Sequence, residues 1–168
     1  MNAISGIRST ALAAVLLAAA CGGSGSGEST PVNGPNPQRV AAIEAQIKAS
    51  ENPDVGFVVF EDVSDKANDG ISRIVQLAGG ATHIEVLCDA PHHQCEDSAT
   101  QTAIARLGFT PLNKYAGAYE KDDPKATPQA SARLTETLFL GVLKASPDYK
   151  LTYYNQVQQK PTPLPVPR

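Results

Sequence analysis

The apolar run over residues 10–20 ends abruptly at Cys21 and gives way to Gly22-Gly23-Ser24-Gly25-Ser26-Gly27. Together these two stretches decide where a fold can begin. The run has about the length of a signal-peptide core, follows the single basic residue Arg8, and is too short to cross a bilayer as a mature helix. The glycine-serine stretch has no side chains with which to pack a core and suits a flexible tether. At the far end Pro161, Pro163, Pro165 and Pro167 crowd the chain, and proline withholds the amide hydrogen that regular pairing needs. The expected organisation is a signal peptide over residues 1–20, a tether over 21–35, one globular domain over 36–159 of about 120 residues, and a proline-rich tail over 160–168.

Leu17-Ala18-Ala19-Ala20-Cys21 resembles the lipobox of bacterial lipoproteins. There small residues precede a cysteine that is acylated and becomes the new N-terminus after cleavage; Ala18 stands where the box prefers leucine. The resemblance implies a fatty-acyl (palmitate-type) anchor on Cys21 and a place in the cell envelope. Gly22, where many inner-membrane lipoproteins carry aspartate, implies the periplasmic side of the outer membrane. The other reading of the same residues is an ordinary secretory signal cut after Ala20, leaving Cys21 a plain thiol. A flexible linker over residues 22–35 reaches on the order of 20 Å, so the domain is expected to sit close to its membrane.

Hydrophobic content of 42% against 18% charged residues is that of a packed domain and not of a disordered chain. The net charge of −3 becomes −4 once Arg8 leaves with the signal. The remaining basic residues are scattered, which argues against nucleic acid as a partner. With Cys21 acylated, Cys88 and Cys95 remain as an even pair in a compartment that permits disulfides, and they are expected to bridge.

Along the domain, Asn36-Pro37 followed by Val40, Ile43 and Ile47 predicts a capped amphipathic helix. Residues 55–60 read as a first, central strand. Ala67, Ile71, Ile74, Val75 and Ala78 keep a helical spacing that Gly79-Gly80 would terminate. Ile84 and Val86 alternate in a strand tipped by Cys88, and a helix starts at Asp97 or Ser98 and stops at Gly108. Residues 109–119 read as an irregular strand or hairpin, Thr127-Pro128 opens a helix carrying Leu134, Leu138 and Val142, and residues 150–157 form a last strand. The order strand, helix, strand predicts an α/β or α+β domain: a small open sheet of about four strands, mixed in direction, with helices packed on it.

The densest polar stretch is Cys88-Asp89-Ala90-Pro91-His92-His93-Gln94-Cys95. His92 and His93 are weak candidates for a metal, since adjacent histidines in extended chain point to opposite sides and the spacing fits no standard zinc pattern. The expected reading is a disulfide-closed polar loop, with no metal and no cofactor. Cys88 and Cys95 are too far apart for a C-x-x-C redox motif, Ser98 lacks a G-x-S-x-G elbow, and Gly79-Gly80 lacks the flanks of a phosphate loop. The acidic pairs Glu61-Asp62 and Asp122-Asp123 read as loop charges.

Tyrosine joins a large apolar area to a polar tip, so among the five tyrosines Tyr115, Tyr119 and Tyr154 are the candidate partner surface. The leading expectation is a non-enzymatic, membrane-anchored lipoprotein that binds or positions another envelope protein. An alternative rests on a resemblance in strand-helix order to peptidoglycan-binding domains of the OmpA type, with Asp89 near the end of the second strand and Arg106 as the basic group. That resemblance implies peptidoglycan as partner. A metal-handling or hydrolytic envelope enzyme is the third reading.

Overall fold

The computed structural model describes residues 35–64, 73–88, 95–112 and 117–166. Helix α1 (Pro37–Ser50) begins where Asn36 Oδ1 accepts from the backbone N–H groups of Gln38 at 3.0 Å and Arg39 at 3.2 Å. Those amides lack partners inside the helix, and the cap supplies one. Strands β1 (Phe57–Asp62), β2 (Arg73–Ala78) and β3 (His83–Leu87) follow. Next come α2 (Ser98–Arg106), the short β4 (Thr110–Pro111) and β5 (Ala118–Asp122). Helix α3 (Pro128–Thr137) continues into a π-helical turn over Leu138–Val142, and β6 (Leu151–Asn155) and β7 (Thr162–Pro163) close the fold.

The seven strands form one sheet in the order β4-β5-β3-β2-β1-β6-β7, with every neighbouring pair antiparallel. This corrects the expectation of about four strands in a mixed sheet, and the class is α+β. The physical reason lies in residues 73–78, expected as the end of a helix. They are strand β2, so β1, β2 and β3 are consecutive neighbours in a meander, with no crossover helix to make any pair parallel. Gly79 and Gly80, at φ +60° and +71°, turn β2 into β3 where a helix stop was expected. The preceding residues 65–72 lie outside the described residues.

Directly paired residues share a face of the sheet. One face carries Val58, Leu77 and Ile84 in one row and Phe60, Val75 and Val86 in the next. Against it pack Ile43 and Ile47 of α1, Ile104 of α2, and Ala132, Leu138 and Phe139 of α3 and its π turn. Burying each such large side chain is worth about 1.5–3 kcal/mol. The proline-rich tail also contributes: Thr162 and Pro163 pair with Tyr153 and Thr152, the Leu164 N–H donates to Leu151 C=O at 2.8 Å, and the Leu164 side chain joins the core. Proline is tolerated there because β7 is an edge strand.

Glu61 and Asp62 are not loop charges. Both are buried at the end of β1, where Asp62 stands opposite Arg73 and forms an ion pair with it at 3.6 Å. The Arg73 Nε–H donates to the Leu143 carbonyl at 2.8 Å, tying the sheet to the end of the π turn. Lys144 just beyond adopts φ +56°, so that the Ala145 N–H reaches back to Phe139 C=O at 2.8 Å and closes the helix.

Candidate functional site

Register separates the tyrosines. Tyr119 pairs with Val86, Val86 with Val75, and Val75 with Phe60, so Tyr119 shares the row and face of Phe60 and packs against the core beneath the helices. Tyr154 pairs with Val59, one residue along, and points to the opposite face. The two cannot belong to one surface. Tyr149 is buried and Tyr153 packs on the core, while Tyr115 lies outside the described residues.

All three helices cover one face, and among the described residues no helix covers the other. Its central row runs Tyr154, Val59, Gln76, Glu85, Glu120 and Thr110 across six strands. Tyr154 is half-buried; burial, and then the charge of Glu61, raise its hydroxyl pKa above the ordinary value. Beside it Phe57, Asn155, Gln156 and Gln159 enclose a shallow hollow of about 290 Å³. Val157, expected within the last strand, lies beyond its end at Asn155 and is 70% exposed.

Cys88 and Cys95 form a disulfide, with Cα atoms 5.7 Å apart. It ties the tip of β3 to the start of α2, where the Asp97 side chain accepts from the Thr100 N–H at 2.8 Å. Bonding to the Thr100 side chain, and then to its backbone N–H, holds the Asp97 carboxyl below its usual range. The intervening His92 and His93, and with them Asp89, lie outside the described residues, as does Cys21. Among the described residues no three His, Cys, Asp or Glu side chains are grouped to hold a metal ion.

Arg39, Glu136 and Tyr149 are buried and joined across elements. The Glu136 carboxylate on α3, 0% exposed, accepts from Arg39 Nε at 2.9 Å and Nη2 at 2.7 Å, from the Asn36 N–H at 3.1 Å, and from the Tyr149 hydroxyl. Arg39 further donates to the carbonyls of Tyr149 and Pro147, each at 3.1 Å, with its guanidinium 3.8 Å from the Tyr149 ring centroid. Burial is the largest effect and opposes the charge on Arg39, yet the bonds and charges of Glu136 and Tyr149 together outweigh it and the guanidinium pKa is raised; burial, then Glu136, keeps Tyr149 protonated. A groove of about 400 Å³ between α1 and α3 is lined by Val40, Ala41, Glu44 and Arg133. In a smaller one of about 210 Å³, Lys121 Nζ donates to Leu107 C=O at 2.9 Å and the Ser131 hydroxyl to Ala81 C=O at 2.8 Å.

One charged cluster escaped the sequence reading. His83 lies on the uncovered face, its Nδ1 2.7 Å from Asp122 Oδ1 and its Nε2 3.1 Å from Glu85 Oε1. The i, i+2 spacing of His83 and Glu85 in a strand was a legible signal. Asp122 was not, because only the β3–β5 pairing brings it opposite His83.

No protein-family model, curated protein or solved structure matches this chain. The helix-after-first-strand order behind the peptidoglycan-binding resemblance is also not met at residues 73–78, which are strand.

Proposed function

We propose that this protein is a lipid-anchored component of a bacterial envelope, held through Cys21 at the periplasmic side of the outer membrane, whose domain binds another envelope protein without catalytic turnover. The observation that carries the reading is the small-residue run ending at Cys21 and passing directly into a glycine-serine tether. Two features of the domain support it. Arg39, Glu136 and Tyr149 serve to join α1, α3 and the loop before β6. The face left clear of helices presents Tyr154 beside a shallow hollow, an arrangement suited to an aromatic anchor.

Two measurements in the native host test the parts separately. Labelling with a fatty-acid analogue is expected to mark the wild-type protein and spare Cys21→Ala; equal labelling of both removes the anchor. A photo-crosslinking residue at position 154 is expected to capture one discrete partner that position 119 does not, and Tyr154→Ala is expected to weaken that complex about thirtyfold, the scale of a 2 kcal/mol hot spot. Crosslinks from 119 but not 154 would refute the surface, and retention of the domain on insoluble peptidoglycan in place of any protein crosslink would favour the wall-binding alternative.

A further inference from the structure

His83 occupies the last pair of the β3–β5 ladder, opposite Asp122. An ionised carboxylate can only accept a hydrogen bond, so each short contact from the ring requires a proton on the ring nitrogen. A neutral imidazole carries one N–H and can satisfy Asp122 or Glu85, not both. Only the imidazolium makes both bonds.

The charged neighbours on this face are all acids, and they come from β3 and β5. Glu85 comes from β3 itself, while β5 supplies Asp122 and also Glu120, which stands in register with Glu85. Strand β2 offers Ala78 and Gln76, neither charged. Lys121, between the two acids, points to the helix-covered face and donates to Leu107 C=O. Asp123 follows, its N–H bound to Thr82 C=O, and its side chain accepts from the Lys125 N–H.

We propose that His83 is a proton-operated clasp fastening β3 to the β4–β5 edge of the sheet. Protonated, it bridges Glu85 and Asp122. Deprotonated, it must release one of them, leaving Glu85, Glu120 and Asp122 facing one another with the only positive charge of the cluster removed. The side chain is 26% exposed, so protons reach it without unfolding. Burial works against the charged ring, but the bonds to Asp122 and then Glu85 outweigh it and raise its pKa above the ordinary 6.5. A group whose folded pKa is raised contributes stability that is whole below the unfolded value and is lost as pH rises through the folded value. The clasp therefore holds below the ordinary imidazole pKa and loosens as pH rises through the raised value of His83. It is independent of the anchor and of any partner.

The test uses the mature chain, isotopically labelled, with side-chain nitrogen spectra of histidine recorded from pH 5.5 to 9; His92→Gln with His93→Gln assigns the remaining signal to His83. Both ring nitrogens are expected to be protonated at pH 6.5, with a midpoint above that pH, and Asp122→Asn and Glu85→Gln are each expected to lower the midpoint. The Tm is expected to fall between pH 6 and pH 9 by a component that His83→Gln abolishes. A bare ring nitrogen at pH 6, or a midpoint at or below 6.5, overturns the clasp, and the wild-type titration decides this even if a variant fails to fold. A Tm profile unchanged by His83→Gln overturns it equally.

Discussion

Replacing Glu136 by Gln removes one charge while preserving the shape of the most enclosed carboxylate in the helical layer. In the wild type, that carboxylate answers Arg39 Nε and Nη2, the Asn36 amide and the Tyr149 hydroxyl. The substituted amide offers one oxygen and turns an NH₂ group toward donors. Arg39 keeps the carbonyls of Tyr149 and Pro147, but its charge, on a side chain only 8% exposed, loses its counter-ion. Breaking a buried pair from one side costs about 3–5 kcal/mol. A domain of about 120 residues has a net stability of roughly 6–18 kcal/mol, so the loss is a large share of the total. With a urea slope near 2 kcal/mol/M, a 4 kcal/mol loss moves the unfolding midpoint down by about 2 M. Urea titration followed by circular dichroism measures it. Exchanging both partners for methionine should recover most of the loss, because an apolar pair leaves no stranded charge. A loss under about 1 kcal/mol for Glu136→Gln, or simple additivity of the Arg39→Met and Glu136→Met effects, would refute the claim that these residues act as one buried unit.

Two backbone substitutions should move stability in opposite directions. Lys144, at φ +56°, pays for a left-handed conformation that glycine adopts freely, and Lys144→Gly is expected to stabilise the domain by up to about 1 kcal/mol in thermal unfolding. Gly117, at φ +79°, would place an added Cβ 3.3 Å from the backbone carbonyl of Cys88, so Gly117→Ala is expected to cost about 1–2 kcal/mol. Opening the Cys88–Cys95 bridge, whose sequence separation is 7, with reductant or by Cys88→Ser with Cys95→Ser should cost about 2–3 kcal/mol on the chain-entropy account; unchanged unfolding under reductant would show the bridge to be idle.

The helices were legible because their signals are local. Asn36-Pro37, Asp97 and Thr127-Pro128 each cap a helix in the structure, for a cap acts on amides two or three residues away and needs no distant partner. The disulfide was legible by parity, since the expectation that Cys21 is acylated leaves one possible pair. Strand β2 was not. Ile71, Ile74, Val75 and Ala78 fit a helical period, while Arg73, Val75 and Leu77 fit a strand with one face buried, and the choice falls to β1 and β3, which hydrogen-bond it from both sides. The same dependence hid the role of Asp62, whose charge is acceptable inside the fold only because Arg73 arrives opposite it. It also divided Tyr119 from Tyr154: both read as aromatic surface in one dimension, but which face a strand residue takes depends on the register of its partners. Local chemistry decided where helices begin and which cysteines join; long-range pairing decided which charges are buried, which tyrosine faces outward, and that His83 meets two acids at once, because those energies exist only between segments distant in the chain.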